Sequence, residues 1–276
     1  MMREEIKRAA EAIEKADYLL ITAGAGMGVD SGLPDFRGKR GFWRAYPAAE
    51  RLNLRFEELA NPVWFDENPH LAWAFYGHRL NLYRKTVPHE GFYKLLEIAE
   101  GKKDYFVFTS NVDGQFQKAG FDENKIDEVH GSIHYLQCVE PCLDVIWSAE
   151  GVEIVVDEES FSAKEPLPKC PHCKKIARPN ILMFGDWKWV DRREREQRRR
   201  FLDFMDRADG SLAIVEFGAG LAVPTVRMMG EDISSAYKAP LIRVNPRDYE
   251  VPGDGGISLP IGAKEAILKI KKELEK

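Results

Sequence analysis

Residues 18–38 read YLLITAGAGMGVDSGLPDFRG and join a short apolar run to a glycine-rich loop. The run Tyr18–Thr22 has the length and composition of a strand that is buried on both faces. The loop that follows contains five glycines in the fifteen residues from Gly24 to Gly38. Closely spaced glycines let a backbone turn sharply and place its N–H groups against a phosphate. The stretch therefore predicts a buried strand that ends at a nucleotide diphosphate.

The loop differs from the usual dinucleotide-binding fingerprint. The third glycine of G-x-G-x-x-G would fall at position 29, which is Val29. These residues alone therefore leave open the alternative that the loop is a glycine-rich turn without a ligand. Asp35, Phe36 and Arg37 favour the ligand, because they bring an acid, an aromatic face and a guanidinium beside the predicted phosphate site.

The composition is that of an ordinary soluble protein, with 44% hydrophobic and 31% charged residues in a chain of 276. A net charge of −5 argues against direct binding to nucleic acid or to a membrane. The four cysteines all lie between positions 138 and 173, which argues against a disulfide scaffold. We therefore expect the protein in a reducing cytoplasm.

Three more apolar runs predict strands of one parallel sheet, and they are Tyr105–Thr109, Leu212–Phe217 and Leu241–Val244. A polar or glycine-rich loop follows each of the four runs at once, at 24–28, 110–114, 218–220 and 245–248. In open α/β sheets the ligand binds at the carboxyl ends of the strands. We therefore expect an α/β fold whose four loops converge on a dinucleotide.

Two long insertions predict a second, smaller lobe. Residues 39–103 separate the first two strands and contain an aromatic-rich helical pattern at 69–85, and residues 136–179 carry the cysteines. The Rossmann-like large lobe would comprise about residues 1–38, 104–135 and 180–276. The predicted active site lies in the cleft between this lobe and the small lobe formed by both insertions.

Two cysteine pairs predict a structural zinc site. Cys138 and Cys142 enclose three residues, and Cys170 and Cys173 enclose two. Paired thiolates on tight turns suit a tetrahedral zinc ion, and His172 is redundant as a ligand beside two complete pairs. Four thiolates leave no open coordination position, so one zinc per chain would stabilise the small lobe and take no part in chemistry.

His130 is the candidate general base. It lies at the predicted junction of the lobes and precedes Gly131, which allows close approach. An imidazole with a pKa near neutrality can accept a proton from a ribose hydroxyl. The alternative that His130 is a purely structural histidine stays open. His134 is a second candidate for the base.

Four motifs occur in the order found in the sirtuins, the NAD-dependent protein-lysine deacylases. Residues 24–38 resemble the family's opening motif, TSNVD at 109–113 resembles Thr-Gln-Asn-Ile-Asp, and VHG at 129–131 resembles the catalytic histidine motif. The two cysteine pairs resemble the family's zinc site. The resemblance covers about residues 16–245 and implies a Rossmann-like fold with NAD as co-substrate.

The resemblance also implies a reaction and a role for each matching residue. The acyl oxygen of a modified lysine would attack the ribose carbon that loses nicotinamide. His130 would then deprotonate a ribose hydroxyl, which leads to O-acyl-ADP-ribose and free lysine. Asn111 would orient ribose and water, and Asp113 would bind the nicotinamide amide. The other implied NAD-binding residues are Gly24, Ala25, Gly26, Asp35, Phe36, Arg37, Ser110, Gly218, Ala219, Gly220 and Asn245.

Two segments resemble the family's substrate-binding residues. Residues 178–186 resemble the segment that pairs with the backbone of the acylated protein. Tyr76 and Arg79 share a helix face and resemble the pair by which some sirtuins take succinyl, malonyl or glutaryl groups. The alternative interpretation, in which Tyr76 is a core aromatic residue and Arg79 a surface arginine, stays open. The implied contacts in the first segment are Met183, Phe184 and Gly185.

Three departures from the family remove hydrogen bonds to NAD. Gly28 stands where Ser is usual, Ser110 where Gln is usual, and Ala219-Gly220 where Thr-Ser is usual. Each lost bond is worth about 0.5–1.5 kcal/mol. The departures leave two alternatives open beside deacylation, namely ADP-ribosyl transfer or NAD hydrolysis at the same site, and a non-catalytic NAD-binding module.

Overall fold

The structure is a computed structural model that describes residues 2–35, 42–43, 45–208, 210–253 and 255–276. Its strands are β1 Tyr18–Ala23, β2 Asp104–Thr109, β3 Ile126–Glu128, β4 Gly131–Cys138, β5 Ile146–Ser148, β6 Val156–Asp157, β7 Ser162–Ala163, β8 Ala177–Ile181, β9 Leu212–Phe217, β10 Leu241–Val244 and β11 Ile257–Leu259. Within the described residues, a six-stranded sheet has the order β11-β10-β9-β1-β2-β3. All of its pairings are parallel, so the predicted α/β fold with a parallel sheet is confirmed.

Helices cover both faces of this sheet. One face is covered by Met2–Lys15, Glu90–Glu100 and Ala263–Leu274, and the other by Arg192–Arg207 and Thr225–Tyr237. Other helices of the described residues include Pro47–Arg51, Phe56–Leu59, Trp64–Glu67, Pro69–Lys85 and Gln115–Lys118, with 3-10 turns at Ala25–Ser31 and Glu123–Lys125. No helix in the described ranges combines the length and apolar character needed to cross a membrane.

The strand β1 shows why the sheet is central. All six of its residues are buried, because successive side chains join different hydrophobic clusters. Leu19 and Ile21 pack beneath the first group of helices, whereas Leu20 packs with Phe106 and Phe201 on the opposite face. A strand that is buried on both faces reads as a continuous apolar run, which is what the sequence shows.

A separate hydrophobic cluster joins the two long insertions. The helix Pro69–Lys85 begins where the Asn68 side chain accepts a hydrogen bond from the Leu71 N–H at 3.1 Å. Its Trp73 donates through Nε1 to the carbonyl of Ala177 at 2.9 Å, on the antiparallel sheet β5-β4-β8. The helix and this sheet share one core, and the exact lobe boundaries stay a prediction.

The strand order of the central sheet reverses between β1 and β9. From β1 the chain proceeds to β2 and β3 on one side, whereas β9, β10 and β11 extend the sheet on the other. Ligands in open α/β sheets bind outside the carboxyl ends of the strands at such a reversal. Here the loops after β1 and β9 contact each other. The Gly24 N–H donates to the Phe217 carbonyl at 2.9 Å, and the Gly26 N–H donates to the Gly218 carbonyl at 3.1 Å.

Two glycines allow this contact between the loops. A Cβ atom at Gly26 would lie 2.6 Å from the Cα of Gly218, which is closer than real side chains approach. Gly218 itself has a φ of +60°, and its Cβ would lie 2.3 Å from the Cα of Gly26. The two backbones therefore touch directly, with no room for a side chain between them.

We expect Gly26→Ala to destabilise the protein through this steric conflict alone, because Gly26 does not have a positive φ. Forcing a methyl group into a packed contact costs about 1–3 kcal/mol. Urea denaturation should show a lower midpoint for the variant. Gly220→Ala is the matched control, since a Cβ there has no neighbour within 4 Å. Equal midpoints for wild type, Gly26→Ala and Gly220→Ala would contradict the assigned loop contact.

Candidate active site

A cavity of about 520 Å³ lies at the reversal point and reaches the helix Pro69–Lys85. Residues from widely separated parts of the chain line it together. The predicted site residues among them are Gly24, Ala25, Asp35, Tyr76, Arg79, Ser110, Asn111, Asp113, His130, Met183, Phe184, Gly218, Ala219 and Gly220. Three of the four loops that the sequence predicted to converge, those after β1, β2 and β9, meet at this cavity, whereas the loop at 245–248 does not line it. The individual roles stay predictions.

Some predicted site residues do not line the cavity. Gly26 makes the loop contact described above, and Gly185 is exposed with a φ of +68°. Asn245 is fully buried, and its amide donates to the Ala219 carbonyl at 2.8 Å. It therefore supports the loop after β9 from behind. The predicted residues Phe36 and Arg37 lie outside the described residues.

Hydrogen bonds attach the loop after β2 to the loop after β1. The Thr109 hydroxyl donates to the Ala23 carbonyl at 2.9 Å and accepts from the Asn111 N–H at 3.0 Å. The side-chain amide of Asn111 then donates to the Gly24 carbonyl at 3.0 Å. These bonds fix the orientation of Asn111 in the wall of the cavity.

Asp113 is held at both its side chain and its backbone. The Gln115 N–H donates to Oδ1 of Asp113 at 2.9 Å, and Nε2 of His134 lies 2.9 Å from the Asp113 carbonyl oxygen. Burial raises the pKa of Asp113 to about 6, although the Gln115 N–H and the charge of Arg79 oppose the rise. The carboxyl group is therefore mainly ionised at neutral pH. His134 positions this loop and is not part of the cavity lining.

His130 lies in the cavity wall between two strands. The neighbouring Val129 N–H donates to the Thr109 carbonyl at 3.0 Å, and the His130 carbonyl accepts from the Leu182 N–H at 2.9 Å. Burial lowers the pKa of the imidazole below its usual value, while a hydrogen bond to the Ser110 backbone opposes this effect. His130 is therefore neutral at pH 7, the state in which it can accept a proton.

The other end of the site combines a buried guanidinium with aromatic rings. Only 6% of Arg79 is exposed, so the alternative interpretation of Arg79 as a surface residue is wrong. Its Nε donates to the Tyr83 hydroxyl at 3.0 Å, and its guanidinium lies 5.6 Å from the Tyr76 ring centre. The Tyr76 hydroxyl is buried and has no hydrogen-bond partner among the described residues. The cavity therefore presents a phenol and a guanidinium together.

Tyr83 is a lining residue that the sequence analysis missed. It lies four residues after Arg79 on the same helix, a spacing that places two side chains on one face. Phe42, Phe56 and Val223 also line the cavity and were not singled out, because isolated apolar residues give no functional signal.

The segment after β8 forms another wall of the cavity. Met183 and Phe184 line it, and the Phe184 N–H donates to the Ala60 carbonyl at 3.0 Å. Behind them, the guanidinium of Arg178 donates two hydrogen bonds to Asp186, at 2.6 and 2.9 Å. Both side chains of this ion pair are fully buried, so the segment is anchored from within the protein.

The four predicted zinc ligands meet in one cluster. Their sulfur atoms all lie within 4.8 Å of one another. The distances from Cys138 to Cys173 and from Cys142 to Cys170 are 3.5 and 3.7 Å. Zinc–sulfur bonds of about 2.3 Å in a tetrahedron separate the sulfurs by about 3.8 Å, so this donor set fits zinc. Within the described ranges, the cluster contains cysteines alone.

The fold and the site define a class of protein that combines a parallel sheet of the dinucleotide-binding kind with a separate four-cysteine module. A family model described as the Sir2 family matches residues 24–209. The chain therefore belongs to the Sir2 family, which confirms the sirtuin resemblance.

Curated relatives agree with this assignment. An "NAD-dependent protein deacylase" of Thermococcus kodakarensis is 33% identical over 178 residues, which are 64% of this chain and 63% of that protein. The match thus spans slightly less than two thirds of that relative. A protein of the same name from Pyrococcus abyssi is 32% identical over 210 residues, or 76% of this chain and 75% of the relative.

Solved structures show the same fold. The crystal structure of a Sir2 homologue in complex with NAD has a TM-score of 0.75 and 25% sequence identity. The alignment covers 97% of this chain and 93% of that one. The likeness therefore extends over both the sheet and the inserted segments.

We expect the purified protein to contain about one zinc ion per chain, measurable by elemental analysis. Cys173→Ala should lose the metal and loosen the segment around the cysteines, because the binding energy of a structural zinc is folding energy. Limited proteolysis should then cleave within residues 136–179, while the central sheet stays intact. Freshly purified, folded protein without metal would contradict the assignment, as would an unchanged digestion pattern.

Proposed function

We propose that the protein removes acyl groups from protein lysines, with NAD as co-substrate, and releases nicotinamide, O-acyl-ADP-ribose and free lysine. The observation that carries this proposal is the position of His130. A neutral imidazole shares one cavity with the convergent glycine loops, with Asn111 and with the ionised Asp113. The deacylase names of the relatives support the same reaction.

The loops after β1 and β9 suit the diphosphate of NAD. Their backbones approach without intervening side chains, and Gly24, Ala25, Gly218 and Gly220 line the cavity. Backbone N–H groups in such loops bind phosphate oxygens directly. The hydroxyls that are missing at Ala219-Gly220 are therefore not essential for binding. Asp113 would accept a hydrogen bond from the nicotinamide amide.

The reaction needs a base beside the ribose that loses nicotinamide. NAD supplies a ribose carbon that the acyl oxygen of the lysine can attack as nicotinamide leaves. His130 would accept the proton from a ribose hydroxyl, whose oxygen then attacks the carbon of the resulting imidate. Water would then release the free lysine and O-acyl-ADP-ribose, and Asn111 would orient both the ribose and this water. Met183 and Phe184 would enclose the acyl-lysine side chain and exclude bulk water, because both line the same cavity.

The residues at the aromatic end favour an acyl group that ends in a carboxylate. Arg79 is buried in the wall of the cavity, and the Tyr76 hydroxyl has an unused donor. A succinyl carboxylate could accept hydrogen bonds from both. We therefore propose succinyl or malonyl lysine as a substrate beside acetyl lysine. We also place the protein in a reducing cytoplasm, which its four free cysteines support.

Replacing His130 by Ala removes the proposed base and leaves the phosphate loops intact. We expect turnover to fall by roughly 10²–10⁴-fold, the usual contribution of a positioned base, with little change in NAD affinity. The assay combines NAD with acyl-lysine peptides and identifies products by mass. His70→Ala is a control outside the cavity lining and should remain active.

The product analysis also separates the competing functions. ADP-ribose attached to the peptide would indicate ADP-ribosyl transfer, and free ADP-ribose without deacylation would indicate NAD hydrolysis. NAD binding without any product would indicate a non-catalytic module. Full activity of His130→Ala would exclude the proposed mechanism.

Replacing Arg79 by Met should lower desuccinylation strongly and spare deacetylation, since an acetyl group has no carboxylate to bind. Loss of one partner of a buried charged contact costs about 2–5 kcal/mol, so kcat/KM for the succinyl peptide should fall at least ~30-fold. Tyr83→Phe is a matched variant that keeps the guanidinium and removes its hydroxyl partner. An equal loss of both activities in Arg79→Met would make Arg79 a structural residue.

A further inference from the structure

Trp187 is an unusually exposed aromatic residue. Its exposed fraction is 96%, and no large apolar side chain among the described residues is more exposed. Leaving an indole in water forfeits the free energy of burying a large apolar surface. Such a residue, when its position in the fold is fixed, is typical of a surface that binds a partner.

The backbone around Trp187 is fixed by its two neighbours. Asp186 forms the fully buried ion pair with Arg178. Its Oδ1 also accepts from the Lys188 N–H at 3.1 Å, and the Lys188 side chain forms an ion pair with Glu140. The chain is thus held on both sides of Trp187 while the indole extends into solvent. The order of the loop reduces the entropy that binding would otherwise have to overcome.

This loop continues the wall of the active-site cavity. Phe184 lines the cavity and is itself 38% exposed, so it lies where the cavity meets the surface. Three residues of extended chain span at most about 10 Å, which bounds the distance from Phe184 to Trp187. A peptide strand advances about 3.3 Å per residue. Trp187 can therefore contact a substrate residue within about three positions of the acylated lysine.

Two carboxylates, Glu57 and Asp66, belong to this part of the described surface. Glu57 lines the cavity together with Phe184. The pKa of Lys188 is raised by its hydrogen bond to Glu140, and the charge of Asp66 contributes to the rise. Two cations of the described surface, Arg55 and Lys188, already pair with glutamates. Glu57 and Asp66 have no ion pair among the described residues, so the surface favours a cation.

We propose that Trp187 binds a basic side chain of the protein substrate, from a lysine or arginine within about three residues of the acylated lysine. The guanidinium or ammonium group would stack on the indole, while Glu57 and Asp66 attract it. An exposed cation–π contact is worth about 0.5–1 kcal/mol, which corresponds to a preference of about two- to fivefold. The inference rests on the proposed deacylase function and adds a sequence preference to it.

The test compares four acyl-lysine peptides that differ at the flanking positions, which carry Ala, Arg, Glu or Leu. For the wild type, kcat/KM should be about two- to fivefold higher with Arg than with Ala, and lowest with Glu. Trp187→Ala should remove the advantage of Arg and leave both the Ala peptide and the KM for NAD unchanged. Leu202→Ala is the matched control, because Leu202 is 54% exposed on the helix Arg192–Arg207.

Each result decides one point. An Arg preference that survives in Trp187→Ala would overturn the role of Trp187. A higher kcat/KM with Leu than with Arg would overturn the assignment of a basic partner. Both of these outcomes leave deacylation itself in place, since the Ala peptide is still processed. Failure to process any of the four peptides, the Ala peptide included, would instead overturn the proposed function and this inference with it.

Discussion

The direct contact between the backbones of Gly26 and Gly218 is the constraint on which the site depends. It joins the loops after β1 and β9 at the point where the strand order reverses. The loop after β2 is attached to the same place, because the amide of Asn111 donates to the Gly24 carbonyl. The cavity floor is therefore built from main-chain atoms. The loop after β9, which has Ala219 and Gly220 and no hydroxyl side chain at these two positions, contributes to the cavity largely through its backbone.

Burial sets the charge states of the groups above this floor. It lowers the pKa of His130 below its usual value and raises that of Asp113 to about 6. Arg79 is the buried cation of the same cavity, and its positive charge helps to keep Asp113 ionised. The site thus contains a neutral base, an anion and a cation in fixed places, and each of these charge states follows from the environment of the residue.

The sequence predicted those parts of the fold whose physical cause is local. β1 and β9 are buried on both faces, so they appear as runs that are apolar apart from Thr22 and Glu216. The strands β3 and β11 have three residues each, too few to show a pattern. β8 was missed as a strand because its sequence ARPNI contains no apolar run, and Asp186 neutralises the charge of Arg178 only after folding. Local spacing identified the cysteines, whereas the burial of Arg79 depends on tertiary packing.

The cysteine cluster is connected to the cavity through two strands. β4 begins directly after His130 and ends at Cys138. β8 pairs with it so that Ala177 lies opposite Cys138 and Ile181 lies opposite Gly131. The end of this pair remote from the cysteines therefore holds His130 on one strand and leads to Met183 on the other. A metal that fixes one end of the strand pair would set the distance between His130 and Met183, which line the same cavity. A zinc ion bound by the four cysteines, none of which lines the cavity, would in this way still fix the relative positions of residues that do.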